Sequence, residues 1–169
     1  CKIRVALEMD IRFESVSRFA RGTLLAVLDD AYAFDPLIAE DWHGDWQTFD
    51  DFFYDNPHIA DAYGFITTLR GEAIGFVSWD PRNLPKYAEV GHNCIAAAYK
   101  GNGYGKRQLR EAVNRILQAH PQKIIVSTNE ALIPAQRMYE ATGFVRQPPR
   151  MPEVTAGIAG FIIDYVYIP

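Results

Sequence analysis

The chain has 169 residues, of which 49% are hydrophobic and 22% charged, and a formal net charge of -4 at pH 7. That length suits a single domain over residues 1–169 that can bury a sizeable core. It holds no apolar run near the ~20 residues of a membrane span, and its acidic balance without a basic tract excludes the electrostatics of a nucleic-acid binder. Cys1 and Cys94 give no disulfide framework, and with no secretory signal visible the expected setting is a soluble protein of a reducing cytoplasm.

From the N-terminus, Lys2 to Glu8 sets Ile3, Val5 and Leu7 against Lys2, Arg4 and Glu8, the pattern of a half-buried strand. Asp10 can cap a helix in which Phe13, Val16, Ala20, Leu24, Val27, Leu28 and Ala31 recur at helical spacing, with Gly22 weakening its middle. Asp35-Pro36 breaks that helix, and a second is expected from about Asp45 to Tyr54. Gly64 to Leu69 and Ala73 to Trp79 are strand-like runs joined by a tight turn at Arg70-Gly71. A strand over Tyr87 to Ala96, a helix ending near Ala119 before Pro121, and a short apolar strand over Lys123 to Ser127 follow. The helix between these two strands makes them a parallel pair. A last helix spans Pro134 to Thr142, with proline in its first turn and Gly143 past its end. Phe144 to Gln147 and Gly160 to Ile168 then form strands on either side of Pro148, Pro149 and Pro152.

No Lys or Arg lies between Arg21 and Arg70, whereas ten of the 21 acidic residues do, interleaved with Tyr32, Phe34, Trp42, Trp46 and Phe49. Acid beside aromatic is the chemistry that receives an ammonium group. Most of these aromatics, at helical spacing, belong to the core. Tyr32, Asp35 and Trp42 flank the break between the two helices and are the candidate acceptor-binding residues.

The most informative stretch is Lys100-Gly101-Asn102-Gly103-Tyr104-Gly105-Lys106, between a strand and a helix. Glycines at a helix N-terminus expose unpaired N–H groups at the positive end of the dipole, where a pyrophosphate can lie on the backbone. The spacing is not that of a P-loop, since three residues separate Gly101 from Gly105 and Arg107 stands where Ser or Thr is required. Nor is it the dinucleotide fingerprint, which needs G-x-G-x-x-G and an acidic residue about twenty positions on, where this chain has Pro121-Gln122-Lys123.

The turn resembles the acetyl-CoA turn of the GCN5-related N-acetyltransferases, Gln or Arg, two residues, Gly, one residue, Gly or Ala. Lys100 replaces the usual Gln or Arg, keeping a donor but losing the planar fork. A second block, Ala135-Gln136-Arg137-Met138-Tyr139-Glu140-Ala141-Thr142-Gly143-Phe144, resembles the family's Ala-x-x-x-Tyr-x-x-x-Gly-Phe. The family's frequent Asn three residues before that Ala is Leu132 here, and the nearest Asn is Asn129. The motif-bearing resemblance covers Ala88 to Phe144, and the flanks agree in element order.

The resemblance implies an α/β fold with a central mixed, mostly antiparallel sheet of six to seven strands flanked by about four helices. It also implies direct transfer of acetyl from acetyl-CoA to an amine held in the same complex, without a metal. The cofactor-binding set it implies is Cys94, Ile95 and Ala96, where the strand splays from its neighbour, residues Lys100 to Lys106, Asn129 and Ala135. Tyr139 corresponds to the tyrosine that protonates the departing thiolate. A lysine-like amine, with a pKa of about 10.4, is neutral in roughly one molecule in a thousand at pH 7. A base is therefore needed, and Glu89, preceded by Ala88, stands where some histone-type relatives carry theirs.

His92 and Cys94 fit packing roles, and the dispersed His43, His58 and His120 give no metal motif. The expected acceptor is a small cationic amine. A peptide N-terminus or lysine side chain is the alternative acceptor, and a catalytically silent acyl-CoA-binding module the alternative function. A homodimer is compatible with the apolar final strand.

Overall fold

A computed structural model describes residues 10–153 and 159–169. The strand expected over Lys2 to Glu8 lies outside the described residues. The elements are β1 (Ile11–Glu14), α1 (Thr23–Ala31), α2 (Pro36–Asp55), α3 (Pro57–Tyr63), β2 (Gly64–Leu69), β3 (Glu72–Asp80), β4 (Ala88–Ile95), α4 (Tyr104–Leu117), β5 (Ile124–Asn129), α5 (Ile133–Ala141), β6 (Val145–Arg146) and β7 (Ile162–Tyr167). They form a seven-stranded mixed sheet in the order β1-β2-β3-β4-β5-β7-β6, parallel at β4–β5 and antiparallel elsewhere. The β-α-β step through α4 is the one expected.

The helices cover the two faces of the sheet. On one face Leu109, Ala112, Val113 and Ile116 of α4, with Tyr139 of α5, pack on Val77, Val90, Val126 and Tyr165. On the other, Leu24, Val27 and Leu28 of α1 and Trp46 and Phe53 of α2 pack on Ile66, Phe76 and Cys94. Strand alternation sorts the buried sheet residues between the two cores, and the register shift between Val90 and Asn93 of β4 puts Cys94 on the second core although Val90, four residues before it, faces the first.

The N-terminal quarter departs from its periodicity. In place of one long helix from Asp10, the chain forms β1, a turn of 3-10 helix at Val16–Arg18, and then α1. Ile11 to Glu14 find the free edge of β2, with Ile11 opposite Leu69 and Glu14 opposite Ile66. Gly22, at φ 94°, cannot continue a right-handed helix and instead starts α1. The fully buried Asp50 on α2 fixes that start by accepting hydrogen bonds from Gly22 N (2.8 Å) and Leu25 N (3.1 Å).

Asp50→Ala would leave two part-buried donors without their acceptor, at about 1–3 kcal/mol each. A loss of roughly 2–4 kcal/mol in urea unfolding is expected, and a loss below 1 kcal/mol would show that water replaces the carboxylate.

Asp35-Pro36 does end one helix, but it also starts the next. The Asp35 side chain accepts from Leu37 N (3.0 Å) and Pro36 occupies the first turn, so α2 begins nine residues before the expected Asp45. The short α3 follows at once, with Pro57 again in first position. The Arg70-Gly71 hairpin forms as expected, both residues having positive φ (52° and 81°).

Candidate active site

Beyond β4, Gly101 (φ 79°) and Gly103 (φ 82°) both adopt the left-handed conformation, and a Cβ at either would meet nothing within 4 Å. Their outer surface is therefore open backbone. Gly103 precedes α4, whose helical bonding starts at Arg107 N to Gly103 O (3.2 Å). The N–H groups of Tyr104, Gly105 and Lys106 thus lack intrahelical partners and lie at the positive end of a 14-residue helix. Gly105 allows the close fit behind them, since a Cβ there would lie 3.1 Å from Met138 Sδ.

The turn opens onto a cleft of about 860 Å³ between β4, the start of α4, α5 and the end of α1. Its lining includes the cations Lys100, Lys106 and Arg137 and no Asp or Glu among the described residues. Such a cleft suits a polyanionic ligand with an apolar arm, because its other walls are Ile95, Leu132, Pro134, Ala135 and Met138.

The floor of the cleft is a parting of strands. β4 and β5 pair only over Ala88–Val90 opposite Ile124–Val126, although β4 continues to Ile95 and β5 to Asn129. Ala96 N donates to Ile74 O (2.7 Å), and Phe76 stands opposite Cys94. By ladder alternation the main-chain groups of Ile95 and Asn93 turn away from β3 into the gap. The sequence-predicted set narrows accordingly: Ile95 presents backbone to the gap, Cys94 lines the cleft, and the Ala96 N–H is taken up by β3.

Gln108 of α4 lies fully buried beneath the gap. Its Oε1 accepts from the Thr67 hydroxyl (2.7 Å), and its Nε2 donates to Phe76 O (2.8 Å), Cys94 O (3.2 Å) and Asn93 Oδ1 (2.8 Å). Gly75 on β3 makes room for it, since a Cβ there would fall 2.5 Å from Ile95 Cδ1, 2.6 Å from Cys94 O and 2.8 Å from Gln108 Oε1.

Tyr139 is 5% exposed and packs on Phe144 and Tyr165. Burial pushes its phenol up to about 12, with the Asn93 side chain opposing the shift. It is therefore a protonated acid at neutral pH. Ala88 and Val90 belong to the same core as Tyr139, so Glu89, between them, points to the opposite face of the sheet. The two candidate catalytic side chains thus lie on opposite faces of the sheet, Glu89 in the paired stretch of β4 opposite Ile125, and neither is among the residues that line the cleft.

Glu89 is half-buried, and desolvation first, then Asp80 and Asp164, raise its pKa, while Arg150 lowers it. Those neighbours each have a guanidinium, Arg82 at 2.6 Å from Asp80 and Arg150 at 2.6 Å from Asp164. Glu89 forms no ion pair among the described residues.

Burial lifts the Cys94 thiol to about 12, leaving no thiolate to take an acyl group. It drops His92, against the Phe49 ring at 4.4 Å, to about 4, so His92 is neutral at physiological pH.

The acceptor candidates separate. Tyr32 lines the cleft and stacks on Trp46 at 5.4 Å, and burial pushes its phenol up, with Cys94 and Tyr139 adding to the shift. Asp35 is the α2 cap and Trp42 packs against the α1–α2 core.

Lys100 turns from the glycine turn to donate to Ala31 O, with its ammonium 4.9 Å above the Phe34 ring. Asn102 is spent on Tyr99 O and Lys100 O. Asn129 Oδ1 accepts from Ala131 N at the entry to α5. Sequence reasoning passed over Asn93 and Gln108, and counted Phe34 only among the aromatics of the acidic window. The signal available for Asn93 and Gln108 was a lone amide near the end of a strand and a glutamine within the buried stripe of a helix.

The sequence matches the Acetyltransferase (GNAT) family over residues 26–144, and the chain belongs to that family. No curated protein matches at the sequence level. Among solved structures the fold is similar to yncA from Salmonella typhimurium, solved with its cofactor acetyl-CoA, at TM-score 0.75 and 13% identity over 94% of each chain. It is similar to a chimera of the Vibrio cholerae spermidine N-acetyltransferase SpeG and hSSAT, at TM-score 0.70 and 16% identity over 94% of this chain and 95% of that one. A chain of the NatC complex bound to Gag peptide and CoA matches at TM-score 0.70 and 18% identity, over 95% of this chain and 99% of that one. Among the described residues no helix is long and apolar enough to cross a membrane.

Proposed function

We propose that the protein transfers an acetyl group from acetyl-CoA to a primary amine, with both substrates bound together. The observation that carries this is the parting of β4 from β5 under a left-handed glycine turn at an open helix N-terminus, beside a cleft lined by Lys100, Lys106 and Arg137 and, among the described residues, by no acid. The N–H groups of Tyr104 to Lys106 would hold the pyrophosphate and the Ile95 main chain the pantetheine arm. Bound acetyl-CoA supplies an activated acyl carbon. Glu89, directly or through one water, takes the ammonium proton, and the freed lone pair forms the C–N bond. As the C–S bond breaks, its electron pair leaves on sulfur, which receives the Tyr139 proton, and the second proton shed by the nitrogen on forming the amide returns through solvent to the tyrosine.

A small cationic acceptor is the favoured substrate class. Tyr32 brings an aromatic ring to the cleft from the acidic α1–α2 region, and the resemblance in fold to a spermidine N-acetyltransferase agrees with it. Mass spectrometry of products from an amine panel tests this: di- and polyamines should be acetylated ahead of neutral and acidic acceptors. Preference for peptide N-termini would transfer the assignment to the peptide class.

Glu89 carries a pH prediction. Its raised pKa places the acid limb of kcat above the ordinary glutamate range of about 4.3, with activity lost as pH falls through it. Glu89→Gln should lower kcat by about a hundredfold at pH 7. The deficit should shrink as pH rises, because the free-amine fraction grows tenfold per unit below the amine's pKa. A pH-independent deficit would remove Glu89 from the base role.

A further inference from the structure

Among the described residues, three buried side-chain polar atoms have no hydrogen-bond partner: Tyr54 Oη, Thr68 Oγ1 and Asn93 Nδ2. Only Asn93 belongs to a residue of the cleft wall. The orientation of its amide follows from its neighbours. Gln108 faces two main-chain carbonyls, Phe76 O and Cys94 O, which can only accept, so that end of Gln108 is its NH2 group. Its other end then accepts from Thr67, as the 2.7 Å contact requires. The same NH2 lies 2.8 Å from Asn93, which must present oxygen to it, because two amide NH2 groups cannot bond each other. The Asn93 nitrogen is left as a donor on the far side of the amide.

That donor sits at the parting of β4 and β5, beside the inward-turned main chain of Ile95 and the Tyr139 phenol. The neighbouring cleft residues Ile95, Leu132, Ala135 and Met138 carry no side-chain acceptor, and the acceptor on the protein is the Tyr139 hydroxyl, whose pKa the Asn93 side chain lowers as a hydrogen-bond partner. An amide NH2 carries two N–H groups, so an interaction with that hydroxyl still leaves one for an acceptor on the ligand. At the level of the tyrosine that protonates sulfur, the strong acceptor of an acyl thioester is its carbonyl oxygen.

We propose that Asn93 Nδ2 donates a hydrogen bond to the acyl carbonyl oxygen of the bound thioester, as a side-chain donor alongside the main-chain N–H of β4. The bond strengthens as the amine adds and the oxygen gains negative charge, which makes Asn93 a catalytic residue held in place by Gln108. This rests on the acetyl-CoA assignment above.

The test compares acetyl-CoA with CoA, which lacks the acyl oxygen. Calorimetric affinities for both would be measured on the wild type, on Asn93→Asp, which keeps the oxygen that Gln108 needs, and on Asn93→Leu. Infrared spectra of bound [1-13C]acetyl-CoA would report the carbonyl directly. Both variants should bind CoA within about twofold of wild type and lose the preference for acetyl-CoA. The carbonyl band should shift to higher frequency, and kcat should fall by about a hundredfold, the usual effect of one such donor. An unchanged affinity ratio and carbonyl band would overturn the assignment, as would loss of CoA itself by both variants, which would make Asn93 a structural strut. Failure of the wild type to bind either ligand would instead overturn the acetyl-CoA assignment on which it stands.

Discussion

Replacing Gly103 with glutamate is expected to abolish acetyl-CoA binding, with titration heats falling to those of dilution. Two effects act together. Gly103 sits at φ 82°, where a residue with a Cβ costs about 1–2 kcal/mol, and the new carboxylate would project over the N–H groups of Tyr104 to Lys106, where the pyrophosphate is expected to lie. The space around the position is free, since a Cβ there meets no atom within 4 Å, so the fold itself is not blocked. Gly103→Asn separates the two effects because asparagine tolerates the left-handed region and adds no charge. It should bind within about tenfold of wild type. If Gly103→Glu bound as well as wild type, the turn would not be the phosphate cradle.

Tyr139→Phe should leave CoA affinity within about twofold of wild type and reduce kcat by about a hundredfold or more. The phenol, pushed up to about 12 by burial, holds its proton throughout the physiological range, so the leaving thiolate meets it in its protonated form. Its ring packs on Phe144 and Tyr165, contacts that phenylalanine keeps, so thermal unfolding should move little. A series of acyl thioesters with increasingly acidic thiols offers a sharper check. The variant's deficit should narrow as the leaving group needs less protonation. A catalytically silent module would show no functional change, and a deficit independent of the thiol would give the Tyr139 hydroxyl a role other than protonating the leaving group.

The part of the fold that builds the site was legible because local chemistry and tertiary structure agree there. Gly101, Gly103, Pro134 and Gly143 each sit where only a few residue types are comfortable, and α4 and α5 followed from them within one or two residues. The N-terminal quarter was not legible in the same way. Val16, Ala20 and Leu24 recur at helical spacing, yet Gly22 takes a positive φ and the β2 edge captures Ile11 to Glu14. Both outcomes depend on partners more than 25 residues away, Asp50 and Leu69 among them. The start of α2 was underestimated because Asp35-Pro36 is equally a stop and a cap. Within the site, Lys100 was expected on the ligand but is held by Ala31 O and Phe34, a contact spanning 69 positions that no local pattern encodes. Asn93 and Gln108 escaped for a similar reason, since an amide acquires meaning only from what it faces.

The missing side chain of Gly75 bears on how such a site can be inherited. The glycine turn is a short local cassette, but the floor beneath it depends on a strand two elements earlier, where Gln108 fits only because β3 yields the volume of a methyl group. Grafting residues 97–106 onto another β-α-β unit would therefore carry the phosphate cradle and leave behind the arrangement that aims Asn93. Phosphate recognition and chemistry are separable in descent: the first can travel as a loop, while the second is bound to the lineage of the core.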